Sequence, residues 1–104
     1  MLNLSFFKVI GDSMLPKIPC GSFVLVKKQT CEINYTNNSI FVFYHRIYGD
    51  LIKKLDYIDK SKRLWFSGSS KESIARNKIG PVHREQVIGK VILIISRNKI
   101  SFSF

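Results

Sequence analysis

The sequence GDSMLP at residues 11–16, followed by GSFVLV at residues 21–26, sets the organisation of the chain. A serine between a glycine and a proline is typical of a sharp turn, because glycine permits positive φ and proline prevents a regular helix. The apolar residues before the turn and the alternating residues after it indicate two β-strands. The pattern therefore predicts that Ser13 lies in a turn between strands and presents its hydroxyl.

Strand patterns rich in β-branched and aromatic side chains recur at short intervals along the chain. They cover residues 5–10, 23–27, 39–45, 51–58, 63–67, 87–95 and 100–104. Residues 68–77 are typical of a loop, and residues 83–86 favour a single helical turn. Because no apolar pattern of helical period exceeds two turns, we expect a mainly β fold, a small partly closed β-barrel or coiled sheet.

The composition predicts one folded domain over residues 1–104. The chain is 45% hydrophobic and 12% aromatic, which suits one core, and it is too short for two domains. Its 17 basic and 7 acidic residues give a net charge of +10, which favours an anionic membrane, an acidic protein or nucleic acid as partner. Nucleic acid is the disfavoured partner, because the lysines are scattered and most aromatic residues occupy alternating strand positions expected in the core.

The cysteines and the apolar segments indicate the cellular compartment of the protein. Cys20 and Cys31 have neither metal-site spacing nor the density of a disulfide scaffold, so we expect free thiols, although their number leaves a disulfide open. The apolar N-terminal stretch is interrupted by Lys8, and residues 91–95 are too short to span a bilayer. We therefore expect a soluble cytoplasmic protein with no transmembrane segment, no metal and no cofactor.

Residues 11–26 resemble the nucleophile segment of the signal peptidase and LexA superfamily of serine-lysine peptidases. In that superfamily a glycine near Ser-Met-x-Pro is followed by Gly-Asp-x-Val-x-Val, and here Ser22 stands in place of the usual aspartate. The sequence LIKKL at residues 51–55 is similar to the strand that supplies the general base, which places the base at Lys53 and a second basic residue at Lys54. The resemblance continues to Val91 through a third motif that has lost several acids.

The resemblance implies a catalytic dyad of Ser13 and Lys53. A serine hydroxyl must lose its proton to a neighbour, whereas lysine, with an ordinary pKa near ~10.4, is protonated at neutral pH. Burial among apolar side chains lowers that pKa, so Lys53 is expected inside the fold, close to Ser13 and without a carboxylate beside it. The alternative role for Lys53 is that of an ordinary strand lysine exposed to solvent.

Other titratable residues are poorer candidates for catalysis. His45 and His83 lack a carboxylate at triad-like spacing, and Asp12 is expected only to stabilise the turn.

Weaker candidates surround the dyad. The expected oxyanion donor is the backbone N–H of Ser13, helped by an open turn at Gly11. The resemblance points to Ser73 as the residue that orients the lysine amine, with an ordinary loop serine as the equal alternative. Met14 and Leu15 are candidates for the wall of a small apolar substrate pocket, with core packing as their alternative role.

Two functions stay open. The first is a serine endopeptidase that cleaves a leader or processing site in a protein or peptide substrate through an acyl-enzyme, similar to the soluble maturation peptidases of the superfamily. The second is a catalytically inactive peptidase fold or a basic β-barrel that binds protein or nucleic acid, which the lost acids at Ser22, Ser69 and Ala75 favour. Peripheral contact with an anionic membrane is expected if Phe6 and Phe7 are exposed.

Overall fold

The computed structural model describes residues 3–11, 14, 16–28, 34–69, 74–97 and 99–103. These residues form strands that account for about half of the described chain. In chain order they are β1 (Leu4–Lys8), β2 (Phe23–Lys28), β3 (Ile40–His45), β4 (Gly49–Ile58), β5 (Leu64–Ser67), β6 (Val87–Ser96) and β7 (Lys99–Phe102). One turn of α-helix, α1 (Arg76–Ile79), and a 3-10 turn (Arg84–Gln86) lie between β5 and β6.

The described strands form one antiparallel sheet. Its order is β1-β2-β6-β3-β4-β5, and β7 pairs with β6. The long strand β6 pairs along one edge with β2, and along the other edge with β3 and then β7. The end strands β1 and β5 do not pair with each other, so the sheet is open and does not close into a barrel. The prediction of a mainly β fold with a coiled sheet is confirmed.

Local backbone chemistry explains where the helical turn and one strand differ from their predicted bounds. β4 begins at Gly49, earlier than predicted, because its φ of 75° closes the turn of residues 46–48 and lets it pair with His45. The sequence pattern predicts a loop over residues 68–77, whereas the helix α1 begins at Arg76. It forms because Ile79 is buried against the sheet, and it ends at Gly80, whose φ is 74°.

Two apolar clusters lie on opposite faces of the sheet. The strand β3 contributes to both, since Ile40 and Val42 lie on one face while Phe41 and Phe43 lie on the other. The first cluster contains Val9, Met14, Ile18, Val24, Val26, Ile40, Val42, Val91 and Ile94. The second contains Phe41, Phe43, Leu55, Leu64, Phe66, Ile79, Val82 and Val87.

The expectation that most aromatic residues lie in the core is wrong. Phe41, Phe43 and Phe66 are fully buried, but a larger group is exposed. The exposed aromatic residues are Phe6, Phe23, Tyr44, Tyr48, Tyr57 and Phe102. Strand alternation places a side chain on a face but does not decide whether anything covers that face.

Within the described chain, none of the helices has the length and apolar character needed to cross a membrane.

Candidate active site

Lys53 lies on β4 and is buried. Its residue is 2% exposed, whereas Lys54, the next residue, is only half-buried. Alternation along the strand explains the difference, because Lys53 lies opposite the fully buried Phe41 and shares a face with the fully buried Leu55. The expected burial of Lys53 is therefore observed, while its catalytic role stays a prediction.

The surroundings of Lys53 disfavour its charged form. Burial among apolar side chains lowers the pKa of Lys53 from its ordinary value of 10.5. The ion pairs found among the described residues join Arg63 to Asp59 and Arg76 to Asp56, so neither supplies a counterion to Lys53. A lysine with a lowered pKa has more of the neutral amine that a general base needs.

A second lysine with a lowered pKa flanks the same phenylalanine. Phe41 lies opposite Lys53 on β4 and opposite Lys90 on β6. Partial burial, and then the charge of Lys27, lowers the pKa of Lys90. However, the Nζ atom of Lys90 donates a hydrogen bond to the carbonyl of Asn34 at 3.1 Å. Because such an acceptor favours the charged donor, Lys90 is less suited than Lys53 to act as a base.

A groove of about 300 Å³ joins Lys53 to the segment that precedes Ser13. It is lined by residues 7–10, by residues 50–53, and by Val24 and Val42. Among the described strands, residues 50–53 of β4 pair with β3 alone, because pairing with β5 starts at Lys54. The groove therefore lies at this edge of β4, between residues 7–10, which adjoin the first cluster, and Lys53, which alternation places on the face of the second cluster.

A protein-family model described as Peptidase S24-like matches residues 2–92. The chain belongs to the Peptidase S24-like family. This membership places it in the LexA and signal peptidase superfamily, so the resemblance carried by residues 11–26 and 51–55 is confirmed. It supports a serine-peptidase-type hydrolase or a related fold. The comparison with curated proteins gives no match.

In this Peptidase S24-like chain, the loop that carries Ser13 is anchored at its base. The N–H of Val9 donates to the carbonyl of Ser22 at 2.7 Å, and the N–H of Gly21 donates to the carbonyl of Val9 at 2.8 Å. The side chains of Met14 and Ile18 also anchor the loop, since both are buried in the first apolar cluster. These contacts hold the chain on both sides of Ser13, the predicted nucleophile.

The structure locates some of the supporting candidates and not others. Gly11 has a φ of 92°, as expected for a turn that favours glycine, and its N–H donates to the Sγ atom of Cys20 at 3.3 Å. Met14 is buried and is not among the residues that line the groove. The remaining predicted site residues lie outside the described residues, and their roles stay predictions: Asp12, Ser13, Leu15 and Ser73.

His45 has a structural role. Its Nδ1 atom accepts hydrogen bonds from the N–H of Ile47 at 3.1 Å and of Tyr48 at 3.3 Å. The Nε2 atom therefore carries the proton and donates to the carbonyl of Ile79 at 2.9 Å. Both ring nitrogens are occupied, and His83 lies at the start of the 3-10 turn. Neither histidine is placed as the base of a triad.

Asp56 was missed by the sequence analysis. The Oγ atom of Ser67 donates to one carboxylate oxygen of Asp56 at 2.8 Å, and the Nε atom of Arg76 donates to the other at 2.8 Å. Ser67 and Arg76 flank the segment that contains Ser73, so Asp56 holds both ends of that segment. Its partners are 11 and 20 residues away in sequence, and no local pattern indicates such a link.

The described residues contain no cluster of histidine, cysteine, aspartate and glutamate that could hold a metal ion. Cys20 is a free and exposed thiol, while Cys31 lies outside the described residues. The charged side chains among the residues that line the groove are Lys8, Lys53 and Asp50.

Proposed function

We propose that this Peptidase S24-like chain is a serine endopeptidase in which Ser13 is the nucleophile and Lys53 is the general base. The observation that supports the proposal is the burial of Lys53 beside a groove that is also lined by residues 7–10, which precede Ser13 in the chain. Burial supplies the lowered pKa that the reaction requires of a lysine. Family membership supplies the reaction class.

The neutral amine of Lys53 accepts the proton of the Ser13 hydroxyl as the Ser13 oxygen attacks the scissile carbonyl carbon. Backbone N–H groups of the turn after Gly11 stabilise the negative charge that develops on the carbonyl oxygen. The ammonium of Lys53 then gives its proton to the leaving amine, and the C–N bond breaks to leave an acyl-enzyme. Water, deprotonated by the same amine, hydrolyses the ester and regenerates both residues.

The substrate is an extended segment of a protein or peptide that carries a leader or processing site. An extended chain binds by adding a strand to an exposed sheet edge, and residues 50–53 of β4 offer such an edge beside Lys53. The apolar side chains of Val9, Ile10 and Ile52 line the groove and favour small apolar residues near the cleaved bond. Substrate main-chain hydrogen bonds to β4 would set the register of cleavage.

A serine-reactive phosphonate probe tests the dyad directly. We expect a covalent adduct that peptide mass spectrometry locates at Ser13, with labelling that disappears in Ser13→Ala and in Lys53→Ala. Lys54→Ala is the matched control, because the neighbouring lysine points away from Lys53 along the strand and should leave labelling intact. Labelling that persists in Ser13→Ala contradicts the proposal.

One observation favours a non-catalytic peptidase fold as the second candidate. Ser22 replaces the usual aspartate of the superfamily, and its Oγ atom is buried without a hydrogen-bond partner among the described residues. A site that has lost acids in this way can keep its groove as a peptide-binding module. Binding of extended peptides that is unchanged in Ser13→Ala, together with no labelling of the wild-type chain at any pH, would support this candidate.

A further inference from the structure

The strands β1, β2, β6 and β7 form an apolar face that belongs to neither buried cluster. Residues directly opposite each other in antiparallel strands lie on the same face. One row across the four strands contains Phe6, Leu25, Leu93 and Phe102. The next row contains Lys8, Phe23, Ile95 and Ile100. The apolar members of both rows are absent from the two clusters that make up the described core.

The outer members of these rows are exposed to solvent. Phe6 is 62% exposed, Ile100 is 63% exposed, and Phe23 and Phe102 are also exposed. The inner members Leu25, Leu93 and Ile95 are half-buried, which makes the exposed apolar surface continuous across the strands. A contiguous apolar surface of this kind is uncommon on soluble proteins and marks an interaction site.

The charged residues on these four strands have one sign. The strands contain no aspartate or glutamate, and alternation places Lys8, Lys27 and Lys90 on the face of the apolar rows and Lys28 and Lys99 on the opposite face. By contrast, the acidic residues that the structure describes, Asp50, Asp56, Asp59 and Glu85, lie on β4, just after it, or in the 3-10 turn. The partner of the apolar face must therefore accept apolar side chains and carry negative charge.

A basic depression borders the end of the second row. It is lined by residues 19–22 together with Ser96, Arg97 and Lys99. Ser22 directly precedes Phe23, and Ser96 directly follows Ile95, so the depression adjoins that row.

We infer that this face docks onto an anionic lipid bilayer, with the apolar rows in the interfacial region and the basic residues at the lipid phosphates. A second copy of the chain fits the face poorly, because both copies carry a charge of +10. Nucleic acid also fits poorly, because the leucine and isoleucine side chains that separate the exposed phenylalanines offer bases no stacking partner. A bilayer supplies both an apolar layer and dense phosphates.

Vesicle co-sedimentation of the full chain tests this inference independently of catalysis. We expect binding to vesicles of phosphatidylcholine mixed with phosphatidylglycerol, and little binding to phosphatidylcholine alone. Ile100→Ser should weaken binding about tenfold, since interfacial affinity scales with inserted apolar area. Ile47→Ser is the matched control, because Ile47 is 73% exposed in the turn between β3 and β4 and should leave binding unchanged.

The charge contribution has its own matched pair. Lys8→Gln should weaken binding to the anionic vesicles about fivefold, because one basic residue near the surface contributes roughly that factor. Lys60→Gln, in the turn between β4 and β5, should not change it. Should Ile100→Ser fail to fold by circular dichroism, Phe6→Ser tests the same face from the edge strand β1.

Several results would overturn the inference. Equal weak binding to both vesicle types would do so, as would binding that Ile47→Ser reduces as much as Ile100→Ser. A dimer in analytical ultracentrifugation that Ile100→Ser dissociates, without vesicle binding, would assign the face to a second copy. Salt-sensitive binding of single-stranded nucleic acid that Lys8→Gln abolishes, again without vesicle binding, would assign it to nucleic acid.

Discussion

The two ends of the sheet use lysine in opposite ways. At the β3-β4-β5 end, apolar side chains enclose Lys53, and the described ion pairs and carboxylates hold the surrounding turns together. At the β1-β2-β6-β7 end, one face is covered by the first cluster, while the other face is exposed and bordered by lysines without a single acid in the strands. Burial lowers the pKa of a lysine amine, whereas an exposed lysine keeps its positive charge available to a partner.

Removal of the enclosed amine should have the largest effect. Lys53→Ala is expected to lower kcat/KM for peptide cleavage about 10²–10⁴-fold, the usual contribution of a general base. Lys54→Ala should stay near the wild-type value. The measurement is cleavage of a peptide substrate identified by N-terminal proteomics. Equal losses in the two variants would remove the distinction between enclosed and exposed lysines on which the comparison depends.

The pH dependence should report the same enclosed amine. Activity should rise with pH through the lowered pKa of Lys53, because only the neutral amine accepts a proton. Folding disfavours the ammonium, so the free energy of unfolding should also rise between that lowered pKa and the unfolded value near ~10.4. Lys53→Met should flatten this rise in urea denaturation across a pH series. An unchanged slope would mean that Lys53 is solvated.

Truncating one phenylalanine at each end of the sheet should distinguish a buried face from an exposed one by the loss of unfolding free energy. Phe66→Ala is expected to lower the free energy of unfolding by about 3–5 kcal/mol, because Phe66 is fully buried and packs against Phe43 with ring centroids 4.4 Å apart. Phe6→Ala should change it by less than about 0.5 kcal/mol. Urea denaturation of both variants gives the comparison, and a large loss for Phe6→Ala would show that its face is covered in the folded protein.

The junction between the two ends should tolerate no added side chain at Gly89. This residue of β6 pairs with both Lys28 on β2 and Val42 on β3. A Cβ atom there would collide with the backbone carbonyl oxygen of Lys27 and would lie 2.5 Å from the Cγ1 atom of Val26. Gly89→Ala is therefore expected to cost about 1–3 kcal/mol of unfolding free energy. A thermal midpoint equal to that of the wild type would contradict this geometry.

The smallest expected effect concerns Asp59, in the turn after β4. Its carboxylate accepts hydrogen bonds from Trp65 Nε1 at 2.9 Å and from the backbone N–H groups of Arg63 and Ser61, which lower its pKa from 3.8 to about 2. Stability from this carboxylate is present above the ordinary pKa and is lost as the pH falls towards 2. Asp59→Asn should lower the unfolding midpoint at neutral pH and weaken its fall in acid, with the exposed Asp50→Asn as control.

Local patterns sufficed for the strands and for the burial of one lysine. Alternating β-branched residues predict strands because each strand presents one side chain in two to each face. The family resemblance assigns the base to Lys53 rather than Lys54, and the requirement for a neutral base adds the expectation that Lys53 is buried. The rest depends on contacts between distant segments. The hydrogen bonds of Asp56 and the exposure of Phe6 follow from which strands become neighbours and which face stays uncovered, and neither is encoded within a short window of sequence.

The position of β6 in the sheet has a consequence for biogenesis. This strand separates β2 from β3, yet it is translated after both of them. A ribosome-bound chain that lacks residues 87–96 can form only the β1-β2 hairpin and the separate β3-β4-β5 meander, and joining these two units requires closure of a long loop. Assembly of the sheet must therefore wait until β6 has been synthesised, and until then both units expose strand edges to which chaperones can bind.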